Sequence, residues 1–170
     1  MLGLMGQLGK ETVDTGANPA GEEMWNDSPN PYSAVTNPIG RDGGTYIGAF
    51  DRGTDDDAFL AGNATLSIVL GTFRITATAT NGSASVAFET LPGVSYNLKI
   101  AIISVEAGNA GIVMIGTSAV DGTYYNSGNK TGAEALSSTF VATTERSYLS
   151  IVSKTNTKSV TVDNIFLTEI

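Results

Sequence analysis

Hydrophobic and polar residues alternate along most of residues 65–170. In residues 72–80 the apolar positions are Phe73, Ile75, Ala77 and Ala79, and threonine or arginine stands between them. A period of two with one apolar face is typical of a β-strand that buries one side. Similar runs recur at roughly ten-residue spacing, and no segment has the period of a helix. The pattern therefore predicts an all-β, antiparallel β-sandwich over residues 61–170.

The dipeptide Asn81-Gly82 follows the first of these alternating runs. Asn-Gly is preferred in type I′ turns, because both central residues of such a turn need a positive φ. We therefore expect residues 72–80 and 83–90 to pair as a β-hairpin around this dipeptide. In the second strand the buried side would carry Ala84, Val86 and Phe88.

Residues 1–60 differ in composition, since glycine, asparagine and aspartate recur there together with four of the five prolines. Proline lacks an amide donor and favours extended neighbours, so this region is not a helix. Either it wraps its own domain as long loops and an edge strand, or it is an extended, mostly irregular arm that becomes ordered on other subunits. A free apolar terminus would promote aggregation, which favours the arm. The residues predicted to contact a partner are Leu2, Leu4, Met5, Leu8, Trp25 and Tyr32.

The composition excludes several classes of function. The net charge is -8 and the isoelectric point is near 4.3, which disfavours binding to nucleic acid or to anionic membranes. Histidine and cysteine are both absent, so there can be no disulfide, thiolate nucleophile, Cys/His zinc site or imidazole-based triad. Carboxylates remain for glycoside hydrolysis, but no spacing singles out a pair. We predict that the protein is not an enzyme.

Two stretches contain candidate binding residues. Asp55, Asp56 and Asp57 lie in an acidic loop and are candidate calcium ligands, although the ligand order of an EF-hand is missing and a solvated loop is the alternative. Tyr124, Tyr125 and Asn126 are candidates for glycan binding, because aromatic rings stack on sugars. Adjacent strand residues face opposite ways, so we expect one tyrosine in the core and at most one exposed.

Four further motifs carry a resemblance to a known family. They are Pro92-Gly93 before Tyr96, residues 115–118 before Asp121-Gly122, residues 139–148, and residues 162–167. Together they resemble the carbohydrate-binding-module or galactose-binding type of jelly roll, which recurs in secreted glycosidases and in bacteriophage virion proteins. The resemblance implies about eight strands in two sheets. It also implies sugar or partner binding through loops or through a concave face.

The leucine- and glycine-rich start at Met1 is similar to that of small tailed-phage structural proteins. We therefore expect a virion protein, namely a capsid cement (decoration) protein that attaches to the major capsid protein through its N-terminal arm at the particle surface. The alternatives are a phage tail or fibre component, or a carbohydrate-binding module that recognises surface glycans. The resemblance also implies a homo-oligomer, with a trimer favoured. No cofactor is expected apart from the alternative of structural calcium.

Overall fold

The structure, a computed structural model, describes residues 46–48 and 59–170, which contain eleven β-strands. Eight of the strands have six or more residues. No helix in the described part of the chain could span a membrane. The strands are β1 Tyr46–Gly48, β2 Leu60–Gly62, β3 Ala64–Val69, β4 Thr72–Ala77, β5 Gly82–Glu89, β6 Ser95–Val105, β7 Gly111–Gly116, β8 Tyr125–Asn126, β9 Glu134–Val141, β10 Arg146–Ser153 and β11 Ser159–Glu169.

The strands form two antiparallel sheets. Sheet A has the order β2-β5-β10-β7-β8. Sheet B has the order β3-β4-β11-β6-β9, and β1 is a sixth strand of this sheet, paired with β11. The predicted all-β jelly-roll sandwich is therefore confirmed.

The hydrophobic core lies between the sheets, because each long strand turns alternate apolar side chains inward. Sheet B contributes Phe73 and Ile75, and sheet A contributes Val86 and Phe88, all with no more than 1% of their surface exposed. Full burial of a side chain of this size stabilises the fold by roughly 1.5–3 kcal/mol. The alternation seen in the sequence is thus the feature that selects the two inner faces.

The predicted hairpin around Asn81-Gly82 is wrong. Strand β4 lies in sheet B and β5 in sheet A, so the turn carries the chain from one sheet to the other. Asn81 has a φ of 61°, but Gly82 is not in the left-handed region, and a type I′ turn needs both. A Cβ at Gly82 would approach the Asn63 carbonyl oxygen to 2.5 Å and the Ala77 Cα to 2.6 Å. Glycine is required here for close packing at the crossing.

A β-bulge interrupts β11. Its register with β6 shifts between Asp163 and Phe166, and Asn164 has a φ of 51°. The Asn164 amide donates a hydrogen bond of 2.8 Å to the Asp163 carboxylate. A bulge adds one residue and so reverses the alternation beyond it. Val160 and Val162 are buried before the bulge and Ile165 and Leu167 after it, which turns Phe166 to the outside of sheet B.

Candidate functional site

The outer face of sheet A is the face turned away from the core. On β10, Leu149 and Ile151 point into the core, so Tyr148 points outward. The strand register places Ala87 of β5 and Gly116 of β7 on either side of Tyr148. Because both neighbours are small, the half-buried ring of Tyr148 has no bulky side chain directly across the strands from it. This is the one outward-facing aromatic residue among the described strands of sheet A.

A charged pair lies in the next outward row of the same sheet. Arg146 of β10 pairs with Glu89 of β5, and both residues are exposed. Along a strand, side chains on one face repeat every two residues, or about 6.8 Å. The aromatic ring of Tyr148 and the two charged groups therefore lie within reach of one small polar ligand.

On the other side of Tyr148, the loop between β7 and β8 is held by the Asp121 carboxylate. Its oxygens accept hydrogen bonds from the Thr117 amide at 2.8 Å and from the Thr123 amide and hydroxyl at 3.0 and 2.6 Å. The Thr123 hydroxyl, followed by the Thr117 amide, lowers the pKa of Asp121 below its usual range. The carboxylate lies directly over Gly116, where a Cβ would overlap it. This loop therefore forms a fixed, negatively charged rim beside Tyr148.

The same loop is tied to the floor of the face at Val120. The Val120 amide donates to the Ser150 hydroxyl at 2.9 Å, and Ser150 is hydrogen-bonded to Ser85 at 2.8 Å. Val120 has a φ of 59°, which is rare for a β-branched residue and costs on the order of 1–3 kcal/mol. The hydrogen bond to the buried pair of serines thus holds Val120 in its strained conformation and fixes the position of the loop on the outer face of sheet A.

The predicted glycan-binding tyrosines are both packed against the core. Tyr124 stacks on Phe140 with ring centroids 5.7 Å apart, and its hydroxyl accepts the Thr143 amide at 2.9 Å. Burial would raise the pKa of Tyr124, but its hydrogen bonds with Thr143 and Thr144 outweigh burial and lower it. Tyr124 lies before β8, so the strand alternation that predicted one exposed tyrosine does not apply to it.

Tyr125 pairs with Ile115 of β7 and turns toward the core, whereas Asn126 pairs with Met114 and lies on the outer face of sheet A. Burial raises the pKa of Tyr125. Asn126 is exposed, and its side-chain oxygen accepts the Gly128 amide at 2.9 Å. Of the three predicted residues, Asn126 is thus the one that the structure places on the same face as Tyr148. Whether any of them binds a glycan stays a prediction.

The remaining predicted site residues lie outside the described residues. They are the partner-binding set Leu2, Leu4, Met5, Leu8, Trp25 and Tyr32, and the calcium set Asp55, Asp56 and Asp57. Within residues 59–170 no group of three acidic residues is arranged to hold a metal ion. Attachment to a virion through the N-terminal arm therefore stays a prediction, as does calcium binding.

Comparisons with known proteins support the fold. No family model matches the chain, and no curated protein sequence matches it. Among solved structures, the xylan-binding domain CBM22-1 of Paenibacillus barcinonensis Xyn10C is similar, with a TM-score of 0.55 and 11% identity over 75% of this chain and 96% of that chain.

Two further structures give the same result. The N-terminal cellulose-binding domain of Cellulomonas fimi β-1,4-glucanase C has a TM-score of 0.55 and 14% identity over 78% of this chain and 97% of that one. A family 16 carbohydrate-binding module has a TM-score of 0.52 and 15% identity over 72% and 96%. At such low identity these matches show the fold alone. The described part of the chain is therefore a jelly roll of the architecture found in carbohydrate-binding modules.

Proposed function

We propose that the sandwich is a non-catalytic carbohydrate-binding domain that receives a glycan chain on the outer face of sheet A. The observation that carries this proposal is the setting of Tyr148, an outward aromatic ring between Ala87 and Gly116. Sugar rings have apolar C–H faces that pack on aromatic rings and hydroxyl rims that need polar partners. The outer face of sheet A offers both within a few ångströms.

The polar partners lie on two sides of the ring. Arg146 and Glu89 stand in the adjacent row, and the rim formed by Asp121 lies next to Gly116. Guanidinium groups donate to sugar hydroxyls and carboxylates accept from them, so the two kinds of group fix the orientation of a neutral glycan. On this face Tyr148 is partly accessible and Arg146 and Glu89 are exposed, whereas Ser85 and Ser150 are buried, so a sugar can be received at Tyr148 but not across the whole width of the sheet.

A binding role, rather than a catalytic one, is supported by the chemistry of the same groups. The Asp121 carboxylate accepts four hydrogen bonds from Thr117 and Thr123 and is held in the ionised form. A general acid for glycoside hydrolysis needs the opposite, a raised pKa. Asp121 is therefore not suited to protonate a leaving group, and its four hydrogen bonds make it a structural anchor of the rim.

The test is calorimetric titration of the full chain with xylo- and cello-oligosaccharides, preceded by a glycan array to choose the ligand. Tyr148→Ala should weaken binding by at least about tenfold, equivalent to about 1.4 kcal/mol, because the stacking surface is removed. Tyr148→Phe should bind nearly as well as the native protein, since it keeps the ring. Thr139→Ala, on the outer face of sheet B, is the matched control and should not change affinity.

Two results would reject the proposal. One is the absence of binding to every glycan on the array by the native, folded protein. The other is a native affinity that survives in Tyr148→Ala, which would move the site to another surface, such as the region of Tyr125 and Asn126.

A further inference from the structure

The outer face of sheet B carries a patch of exposed hydrophobic side chains. Val141 of β9, Phe166 of β11 and Ile170 after β11 are 50%, 38% and 67% exposed. We call these three residues the sheet B patch. Single exposed apolar residues are ordinary on a protein surface, but several on one sheet face mark a contact surface.

The register of the strands places the three members of the patch on the same outer face of sheet B. Val141 pairs with Ser95 of β6, and the Ile170 amide donates to the Ser95 carbonyl at 3.0 Å. Val141 and Ile170 therefore stand two strands apart, at about 9.6 Å. Phe166 lies four residues before Ile170 on the same side of β11, about 13 Å away. The patch is thus about 10 by 13 Å.

The bulge in β11 sets which residues of its second half face outward. Beyond Asn164 the alternation is reversed, so Ile165 and Leu167 lie in the core and Phe166 lies on the outside of sheet B. The outward positions between the three members of the patch are polar. Several exposed apolar side chains on one sheet face favour a contact surface.

The chain itself supplies a partner at this position. Strand β1 pairs with β11 in antiparallel register, with Tyr46 opposite Phe166. An antiparallel strand that pairs in this way enters alongside the C-terminal end of β11, where Ile170 lies. Residues 1–45 precede β1 directly and contain leucine, methionine, tryptophan and tyrosine residues suited to an apolar surface. They also contain six acidic and only two basic residues, which complements Lys99, the exposed cation opposite Phe166.

We propose that residues 1–45 bind the sheet B patch of their own molecule. The attachment of β1 to β11 holds this segment beside the patch at an effective concentration of about a millimolar or more, far above that of a second molecule in dilute solution. We therefore assign the sheet B patch to residues 1–45 of the same molecule and not to those of a second copy. The sheet B patch and the candidate glycan site at Tyr148 lie on opposite faces of the sandwich, so this proposal does not depend on glycan binding.

The experiment uses Trp25, which is the single tryptophan of the chain and lies in the proposed segment. Its emission and its quenching by acrylamide report on residues 1–45 without interference from the sandwich. In the native chain Trp25 should be shielded relative to the same chain in urea. The double variant Val141→Thr and Ile170→Ser should lower the docking equilibrium constant by about a hundredfold, about tenfold for each lost apolar side chain. Its Trp25 should then be quenched nearly as in urea.

Leu70→Ser is the matched control. Leu70 is 98% exposed at the turn between β3 and β4, so this variant also removes an exposed aliphatic side chain, but not from the patch. It should leave Trp25 shielded. Circular dichroism of the sandwich should be unchanged in all variants, because Val141, Ile170 and Leu70 are outside the core.

Three outcomes would overturn the proposal. The first is a Trp25 that is quenched equally in the native and the urea-unfolded chain. The second is shielding that persists in the double variant, which would place the segment on another surface. The third is shielding that is lost on dilution together with an oligomeric mass by light scattering, which would assign the segment to a neighbouring molecule.

Discussion

Replacement of Gly116 by alanine should disturb the rim of the candidate site without touching Tyr148 itself. A Cβ at this position would overlap the Asp121 carboxylate and would lie 2.5 Å from both the Asp121 Cγ and the Asp121 carbonyl oxygen. The overlap involves backbone as well as side chain, so a rotation of the Asp121 side chain cannot relieve it. The loop between β7 and β8 must move as a unit.

The expected loss of stability follows from the hydrogen bonds of Asp121 that this movement breaks. Asp121 accepts hydrogen bonds of 2.8 and 3.1 Å from Thr117 and of 3.0 and 2.6 Å from Thr123. These bonds are largely solvent-exposed, so their loss is partly compensated by water. Overpacking of this kind costs about 1–3 kcal/mol. For a chain of this size, about 3 °C of melting temperature corresponds to each kcal/mol, so Gly116→Ala should lower Tm by roughly 3–9 °C.

Differential scanning calorimetry provides the assay, and Gly132→Ala is the control. Nothing lies within 4 Å of a Cβ placed at Gly132, so that variant makes the same chemical change without the overlap. It should leave Tm unchanged or raise it slightly, because alanine restricts the unfolded chain. If the two variants melt within about a degree of each other, the close contact between Gly116 and Asp121 does not constrain the loop.

Three further predictions concern other parts of the sandwich. Asn109→Ala should lower the free energy of unfolding by about 3 kcal/mol in urea titrations, because the buried Asn109 donates to Ser153 at 2.8 Å and accepts the Thr155 amide at 2.9 Å. The control Asn129→Ala, at an exposed position, should stay within about 0.5 kcal/mol of the native protein. Equal effects of the two variants would contradict a stabilising role of the Asn109 hydrogen bonds. Tyr124→Phe should lower the free energy of unfolding by about 1 kcal/mol, because the hydrogen bond from the Thr143 amide is lost while the stacking on Phe140 persists. An unchanged urea midpoint would show that the Tyr124 hydroxyl does not anchor the loop. The lowered pKa of Asp121 means that its ionised form stabilises the fold above about pH 4, the usual carboxyl range, and that this contribution disappears as the pH falls through the lower folded-state value. The urea midpoints of the native protein and Asp121→Asn should therefore differ at neutral pH and converge once the pH falls below the lowered pKa of Asp121. A difference that is constant with pH would exclude a charge effect.

The sequence predicts the architecture well because strand alternation is a local signal. Phe73 and Ile75 face the core as their spacing indicates. Pairing is not local. The turn at Asn81-Gly82 has the composition of a hairpin, yet β4 and β5 belong to different sheets because the close packing of Gly82 on Ala77 carries the chain across the core.

The candidate site is harder to predict for the same reason. The sequence does not single out Tyr148 as a candidate site residue, because the apolar residues around it, Leu149, Ile151 and Val152, do not alternate strictly. The importance of Tyr148 depends on Ala87 and Gly116, which lie far from it in the sequence and become its neighbours only through sheet pairing. The adjacent pair Tyr124 and Tyr125 is more conspicuous, but both rings pack against the core. Conspicuous aromatic residues are therefore a weak guide to a binding face when sheet order is unknown.

The two outer faces of the sandwich are made different by small backbone irregularities. On sheet A, the left-handed conformation of Val120 fixes the loop that places Asp121 beside Tyr148. On sheet B, the left-handed Asn164 creates the bulge that turns Phe166 outward. The left-handed conformation is unfavourable for the β-branched Val120, whereas asparagine tolerates it. The bulge at Asn164 also serves the core, because it turns Ile165 and Leu167 inward, so the outward position of Phe166 follows from core packing. The strain at Val120 has no such counterpart in the core, and its amide instead holds the loop on Ser150.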